Sequence, residues 1–272
     1  WEVLRGPGNV VVREEDHGDL WEPYKPLDGG SRIAMKTQLA VPQPGQGVFS
    51  NEPTDPPGTV TRGPVFSEFS AAHPFGNGTF GTRVRLYAGL RRIDIRTQLV
   101  NNEKFVRYQA LFPTSIQGGR TVHEIPFGAV ERPAAVEFPT QNWADYGDGK
   151  QGVAVLNRGL PGNLTTDGTM LLSLARATAI VAYGFGGGYE PGMSSDSGFE
   201  LGRQLTFDYA LVPHAGDWRQ AGVYRDGMEF NHPLLARTAG THSGELPKRW
   251  GLLDIAPQNV VVSALKPSAD GT

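Results

Sequence analysis

Between Arg92 and Leu99 the chain alternates without a break. Ile93, Ile95, Thr97 and Leu99 take one parity, and Arg92, Asp94, Arg96 and Gln98 take the other. Successive side chains of a strand point to opposite faces, so this pattern specifies a strand with one apolar face and one wet face. Val84 and Leu86 alternate in the same way with Arg83, Arg85 and Tyr87, and Ala88-Gly89 sits between the two segments as a hairpin turn. Further strands are expected at Asn9–Arg13, Ile33–Val41, Pro64–Ala71, Phe105–Phe112, Ala129–Phe138, Gly152–Leu156, Met170–Leu174, Leu205–Val212 and Asn259–Leu265. Loops rich in Gly, Pro, Asn and Asp separate them, and the chain holds 36 glycines and 21 prolines, a composition for many turns and few long helices. Helical signal is confined to Asp217–Gly227, where Asp217 is placed to cap a short helix carrying Trp218, Ala221, Gly222 and Arg225 on one face. With no βαβ alternation and no internal repeat, the expected fold is mainly β, a large antiparallel β-sandwich with few or no helices.

Charge and ligand chemistry narrow the function classes. The net charge of −3 leaves no basic footprint for nucleic acid, and no apolar run approaches the length of a membrane span. Cysteine is absent, so disulfides and thiolate metal sites are excluded. The six histidines are His17, His73, His123, His214, His232 and His242; no two stand at i, i+2 or i, i+4, and no HExxH occurs. The densest ligand cluster, Asp16-His17-Gly18-Asp19, reads as a polar loop. No nucleophile elbow is present, and Gly184-Phe-Gly-Gly-Gly lacks phosphate-loop spacing. Asn77-Gly-Thr and Asn163-Leu-Thr match the glycosylation pattern.

Several polar residues are read structurally. His214 is expected to orient a turn by bonding backbone, Trp218 to be core, and Glu124, Glu131 and Arg132 to form an internal ionic network. Two loops stand apart. Val41–Gly63 holds PQPGQG and DPPG. Ala182–Gly198 holds six glycines with Tyr183, Phe185 and Tyr189, and long loops of this kind are often functional.

The segments HEIPFGAVERP, QNWADYGDGKQGVAVLN, SDSGFELGRQLTFDYALVPHAGDW and EFNHPLL, in this order from His123 to Leu234, resemble the C-terminal β-rich region of glycoside hydrolase family 38, the α-mannosidases. The resemblance implies a supersandwich of the galactose mutarotase-like kind. It also implies that the aspartate nucleophile and the zinc of a retaining mechanism lie in an N-terminal catalytic domain. No HHD-type segment occurs in this chain, and its one H-x-D string, His17-Gly18-Asp19, is the stretch already read as a polar loop. On this reading the chain has no catalytic residue, cofactor or metal of its own. Its partners are that catalytic domain and a mannose-containing glycan, with no nucleic acid and no membrane, and a bacterial cytoplasmic setting is favoured.

Asp19-Leu-Trp21-Glu22-Pro-Tyr24 is similar to the D-x-W-D/E segment of bacterial-type members, in which loops of the β-region help wall the cleft. The expected carbohydrate contacts are therefore Asp19, Trp21 and Glu22 from the first loop and Tyr189 and Asp196 from the glycine-rich one. An indole offers a face to a sugar ring, and a carboxylate accepts bonds from vicinal hydroxyls. Where the family carries an arginine-serine pair, this chain has Arg176-Ala177. Trp1 is not an initiator methionine, and NVVVSALK near the end resembles the entry to the family's next β-unit. The expected division is a sandwich over 1–250 and the truncated start of a following unit over 251–272. The competing reading is a stand-alone carbohydrate-binding module that uses Trp21 and the glycine-rich loop.

Overall fold

The computed structural model describes residues 2–16, 47–51, 57–177, 199, 201–257 and 259–271. Trp1–Pro233 forms one unit and Leu234–Thr272 a second. The first is an antiparallel sandwich. Its smaller sheet has the order β10 (Phe138–Pro139), β13 (Gly162–Thr166), β14 (Thr169–Ala177), β7 (Val106–Pro113), β1 (Val10–Glu15) and β2 (Val48–Phe49). The larger has the order β3 (Thr59–Arg62), β4 (Phe66–Phe75), β5 (Gly78–Tyr87), β6 (Ile93–Val100), β15 (Gln204–Ala215), β12 (Gln151–Asn157), β11 (Trp143–Gly147), β8 (Arg120–Ile125) and β9 (Gly128–Arg132).

Alternation dictates how the sheets meet. Ile95 and Leu99 of β6 and Tyr209 and Leu211 of β15 enter one core with Val106, Tyr108, Ala110 and Phe112 of β7. Phe112 stands edge-on to Tyr209 at 6.1 Å between centroids, and Phe75 lies 6.0 Å from Tyr108. The Tyr209 hydroxyl, fully buried, bonds Thr97 at 2.5 Å and donates to Asn9, so the core's polar atom is satisfied.

The expected helix is present as two. Asp217 caps α1 (Trp218–Ala221) by accepting from the Arg219 and Gln220 amides, and the Gln220 side chain answers in a capping box. Gly222, at φ 74°, ends α1 in the left-handed region and starts α2 (Val223–Asn231), which is why one predicted helix becomes two. Both cover the outer face of the larger sheet, where Val223 and Phe230 pack on Trp143, Leu156 and Val212.

Three strand expectations need correction or lie out of reach. Ala129–Phe138 is broken after Arg132, because Pro133 cannot donate to a ladder and Ala135 sits at φ 60°. Asn259–Leu265 forms no strand; no other described segment of its unit forms a strand to pair with it, and a strand without a ladder partner is not stable. Ile33–Val41 lies outside the described residues. Asn163 is buried and donates to Leu160 and Pro161, so its side chain is not open to modification.

Candidate functional site

Asp19, Trp21, Glu22, Tyr189 and Asp196 all lie outside the described residues. The strands on which their loops are rooted do not. The first loop follows Asp16 at the end of β1, and the second follows Ala177 at the end of β14. These strands flank β7 on either side, so the two roots stand two strand spacings apart, about 10 Å. Backbone bonds join them through β7: Asp16 donates to Phe105 (2.7 Å) and Phe105 to Ala177 (2.8 Å). Side chains join them again. Arg176 grips buried Asp16 with two bonds of 2.5 and 3.0 Å, and one row inward Arg107 reaches Glu14 at 3.1 Å. Glu14, Arg107 and Arg176 are opposite one another across β1, β7 and β14.

Arg107 and Arg176 would repel, and each is answered by its own carboxylate. The ends of two sequence-distant loops are thereby held in one place. The sequence reading noted Arg176 but missed Glu14, Asp16 as its partner, and Arg107. The available signal was a charged residue at a buried parity, as in VVVREE and VRYQALF.

A second polar region lies on the outer face of the larger sheet. Register places Glu68, Arg85 and Asp94 in one cross-strand row and Ser70, Arg83, Arg96 and Asp208 in the next. All of these but Ser70 line a groove of about 320 Å³ that α2 closes on one side with Glu229 and Phe230. Arg85 bonds Glu68 at 2.6 and 2.9 Å, and Arg96 bonds Asp208 at 2.7 and 2.9 Å. Bonding to Asp208 raises Arg96 above its ordinary value, against repulsion from Arg85. Arg92 and Arg158 both stack on the Phe230 ring, at 5.2 and 4.7 Å.

The remaining candidates are structural. His214 bonds Asp145 at 2.7 Å rather than a turn backbone, because β12 brings β15 and β11 together with both side chains on the outer face. Trp218 is half-buried, its ring 5.0 Å from Trp143. Glu124 accepts the Asn142 amide, Glu131 is 3.6 Å from exposed Arg120, and Arg132 stacks on Phe138; the three do not form one network. Among the described residues no group of three or more His, Asp or Glu could hold a metal ion.

His123 is buried, and desolvation lowers its pKa to about 4; the Pro139 carbonyl pulls upward and Arg132 pushes down. The folded value lies below the unfolded 6.5, so the unfolded chain binds the extra proton. Stability is therefore unaffected above pH 7 and falls as pH drops from 6.5 toward 4. Urea midpoints should show stability about 2–3 kcal/mol lower at pH 4.5 than at pH 7.5 from this group alone. His123→Leu should remove that part of the pH dependence; an unchanged pH profile would refute the assignment.

Known proteins similar to this chain agree on its kind. The family model described as the glycosyl hydrolases family 38 C-terminal domain matches residues 42–180. Alpha-mannosidase 2C1 of Mus musculus is 27% identical over 200 residues, covering 70% of this chain. Alpha-mannosidase G of Dictyostelium discoideum is 25% identical over 209 residues, covering 73% of this chain. The chain spans 18% of the length of each of these relatives. A crystal structure of a glycosyl hydrolase family 38 protein from Enterococcus faecalis shares the fold at a TM-score of 0.67 and 17% identity, over 88% of this chain and 30% of that one.

Proposed function

This chain belongs to the glycosyl hydrolase family 38 C-terminal domain family, and we propose that it is the non-catalytic C-terminal domain of a zinc-dependent retaining α-mannosidase, scaffolding the catalytic domain and lining its cleft. The activity is carried over from the relatives, both named alpha-mannosidases, most of whose length lies outside the matched region.

The observation that supports a scaffold is an overhang of the larger sheet. Tyr209, Ile95, Val84, Phe69 and Val60 form one cross-strand row, all on the face that carries the core. Their exposure rises outward along it: Tyr209 0%, Ile95 4%, Phe69 39% and Val60 59%. Leu86, one row along on the same face, is 51% exposed. Singly scattered apolar residues need no explanation, but a contiguous continuation of a core face does. In this reading the catalytic domain covers that overhang. The loops rooted at Asp16 and Ala177 then wall the cleft, with Asp19, Trp21, Glu22, Tyr189 and Asp196 meeting a mannose-containing glycan. Zinc belongs to the catalytic domain; the described residues offer it no ligand set, and none is assigned to it here.

The test is the double variant Val60→Asp, Leu86→Asp. In the isolated chain both sites are exposed, and stability should stay within about 0.5 kcal/mol. In the enzyme that includes the catalytic domain, hydrolysis of an aryl α-mannoside should fall at least tenfold. The isolated chain should show no turnover with or without zinc. Full activity of the double variant would refute the docking face. Turnover by the isolated chain that depends on one of its own carboxylates would refute the non-catalytic role.

A further inference from the structure

We propose that the groove on the outer face of β4, β5 and β6 binds a saccharide that carries an anionic group, a phosphate or a carboxylate. The charge pattern supplies the anion. Register sets Arg83 directly opposite Arg96, and like charges in that relation are destabilising. Asp208 neutralises Arg96 with two bonds, and Glu68 does the same for Arg85 in the next row. Arg83 has no carboxylate partner among the described residues. It is exposed, and it lines both the groove and an adjoining hollow of about 400 Å³. It is the one row member whose charge is left for a ligand to answer, and a guanidinium takes a phosphate or carboxylate in two parallel bonds.

The rest of the surface supplies the saccharide. Arg96 holds both oxygens of Asp208 and Arg85 holds one oxygen of Glu68 with two bonds, and together the pairs offer donors and acceptors side by side, as vicinal hydroxyls require. The next row out, Ala72, Gly81 and Gln98, continues as a flat floor of two small residues and one amide, part of the same adjoining hollow. Tyr87 and Phe230 add ring surface at the opposite end. A bare anion would use Arg83 and leave this array idle. A polyanion such as nucleic acid would meet Glu68, Asp94, Asp208 and Glu229 in the same groove, in a chain of net charge −3.

The experiment titrates the 272-residue chain with glucose 6-phosphate and glucuronate, and in parallel with glucose and inorganic phosphate, by calorimetry and amide chemical-shift mapping. At least one charged sugar should bind at least tenfold more tightly than glucose or phosphate, with shifts centred on β5 and β6; the tighter of the two names the anion. Arg83→Gln should weaken that binding about tenfold without moving the melting temperature, and Arg120→Gln, on β8 toward the far side of the same sheet, should leave it unchanged. Three outcomes would each overturn the proposal. These are equal binding of the charged and neutral sugars, phosphate alone binding as tightly as the sugar phosphate, and Arg83→Gln binding like the parent. Failure of both charged sugars to bind would overturn it too. None of these outcomes bears on the docking face, which is read by catalysis.

Discussion

Trp143→Ala should destabilise the chain by about 3–5 kcal/mol, the range for a large buried aromatic replaced by alanine. Trp143 is the largest fully buried side chain among the described residues and sits on the outer face of the larger sheet. Around it are Leu156 and Val212 from neighbouring strands, Val223 and Phe230 from α2, and the Trp218 ring at 5.0 Å. Gly227 of α2 passes so close that a Cβ there would come within 2.8 Å of the indole. A helix of nine residues is too short to persist alone, so its order depends on this contact. Hydrogen exchange in Val223–Asn231 should therefore accelerate along with the loss of stability. Trp143→Phe should cost much less, about 1 kcal/mol, because the indole N–H has no partner and its removal recovers part of a desolvation cost. If Trp143→Ala leaves the urea midpoint and the helical exchange rates in place, α1 and α2 are not held by this cluster.

Removing a carboxylate at the loop roots should cost as much. Glu14→Ala leaves the Arg107 guanidinium, 2% exposed, without the carboxylate it bonds at 3.1 Å. Breaking a buried ion pair from one side typically costs about 3–5 kcal/mol. The double variant Glu14→Ala, Arg107→Met removes both charges and should recover most of that loss, since apolar replacement of a buried pair is often close to neutral. In the enzyme with its catalytic domain, Glu14→Ala should also lower activity, because the same row positions both cleft-loop roots; the double variant separates stability from loop placement. Denaturant melts of the three proteins decide the energetic part. A single variant within about 1 kcal/mol of the parent would show that the pair is not what stabilises the roots.

The alternating segments were legible because strand period is local. Val84, Leu86, Ile93, Ile95 and Leu99 turn inward together, and Arg83, Arg85, Asp94 and Arg96 turn outward, as their parity in the sequence requires. The capped helix after Asp217 was legible for the same reason, since its capping box spans four residues. The candidate site was legible only as two loops. That Asp16 and Arg176, 160 positions apart, share one ion pair depends on β1 and β14 flanking β7, and strand order carries no local signature. His214 was misread on the same ground, because its strand meets that of Asp145 only through β12.

By itself, the sequence determined where most of the long strands run, which of their faces is apolar, and the likeness to the family's C-terminal domain. Tertiary structure decided which apolar faces are covered. Val60, Phe69 and Leu86 follow the same pattern as Ile95 and Leu99, yet they lie beyond the cover that buries the latter pair. It also decided that Arg83 would face Arg96 and carry a charge that no carboxylate among the described residues answers. The physical reason is one of range: the direction of a side chain follows from its own strand's two-residue period, whereas burial and charge pairing depend on strands brought alongside from distant parts of the chain.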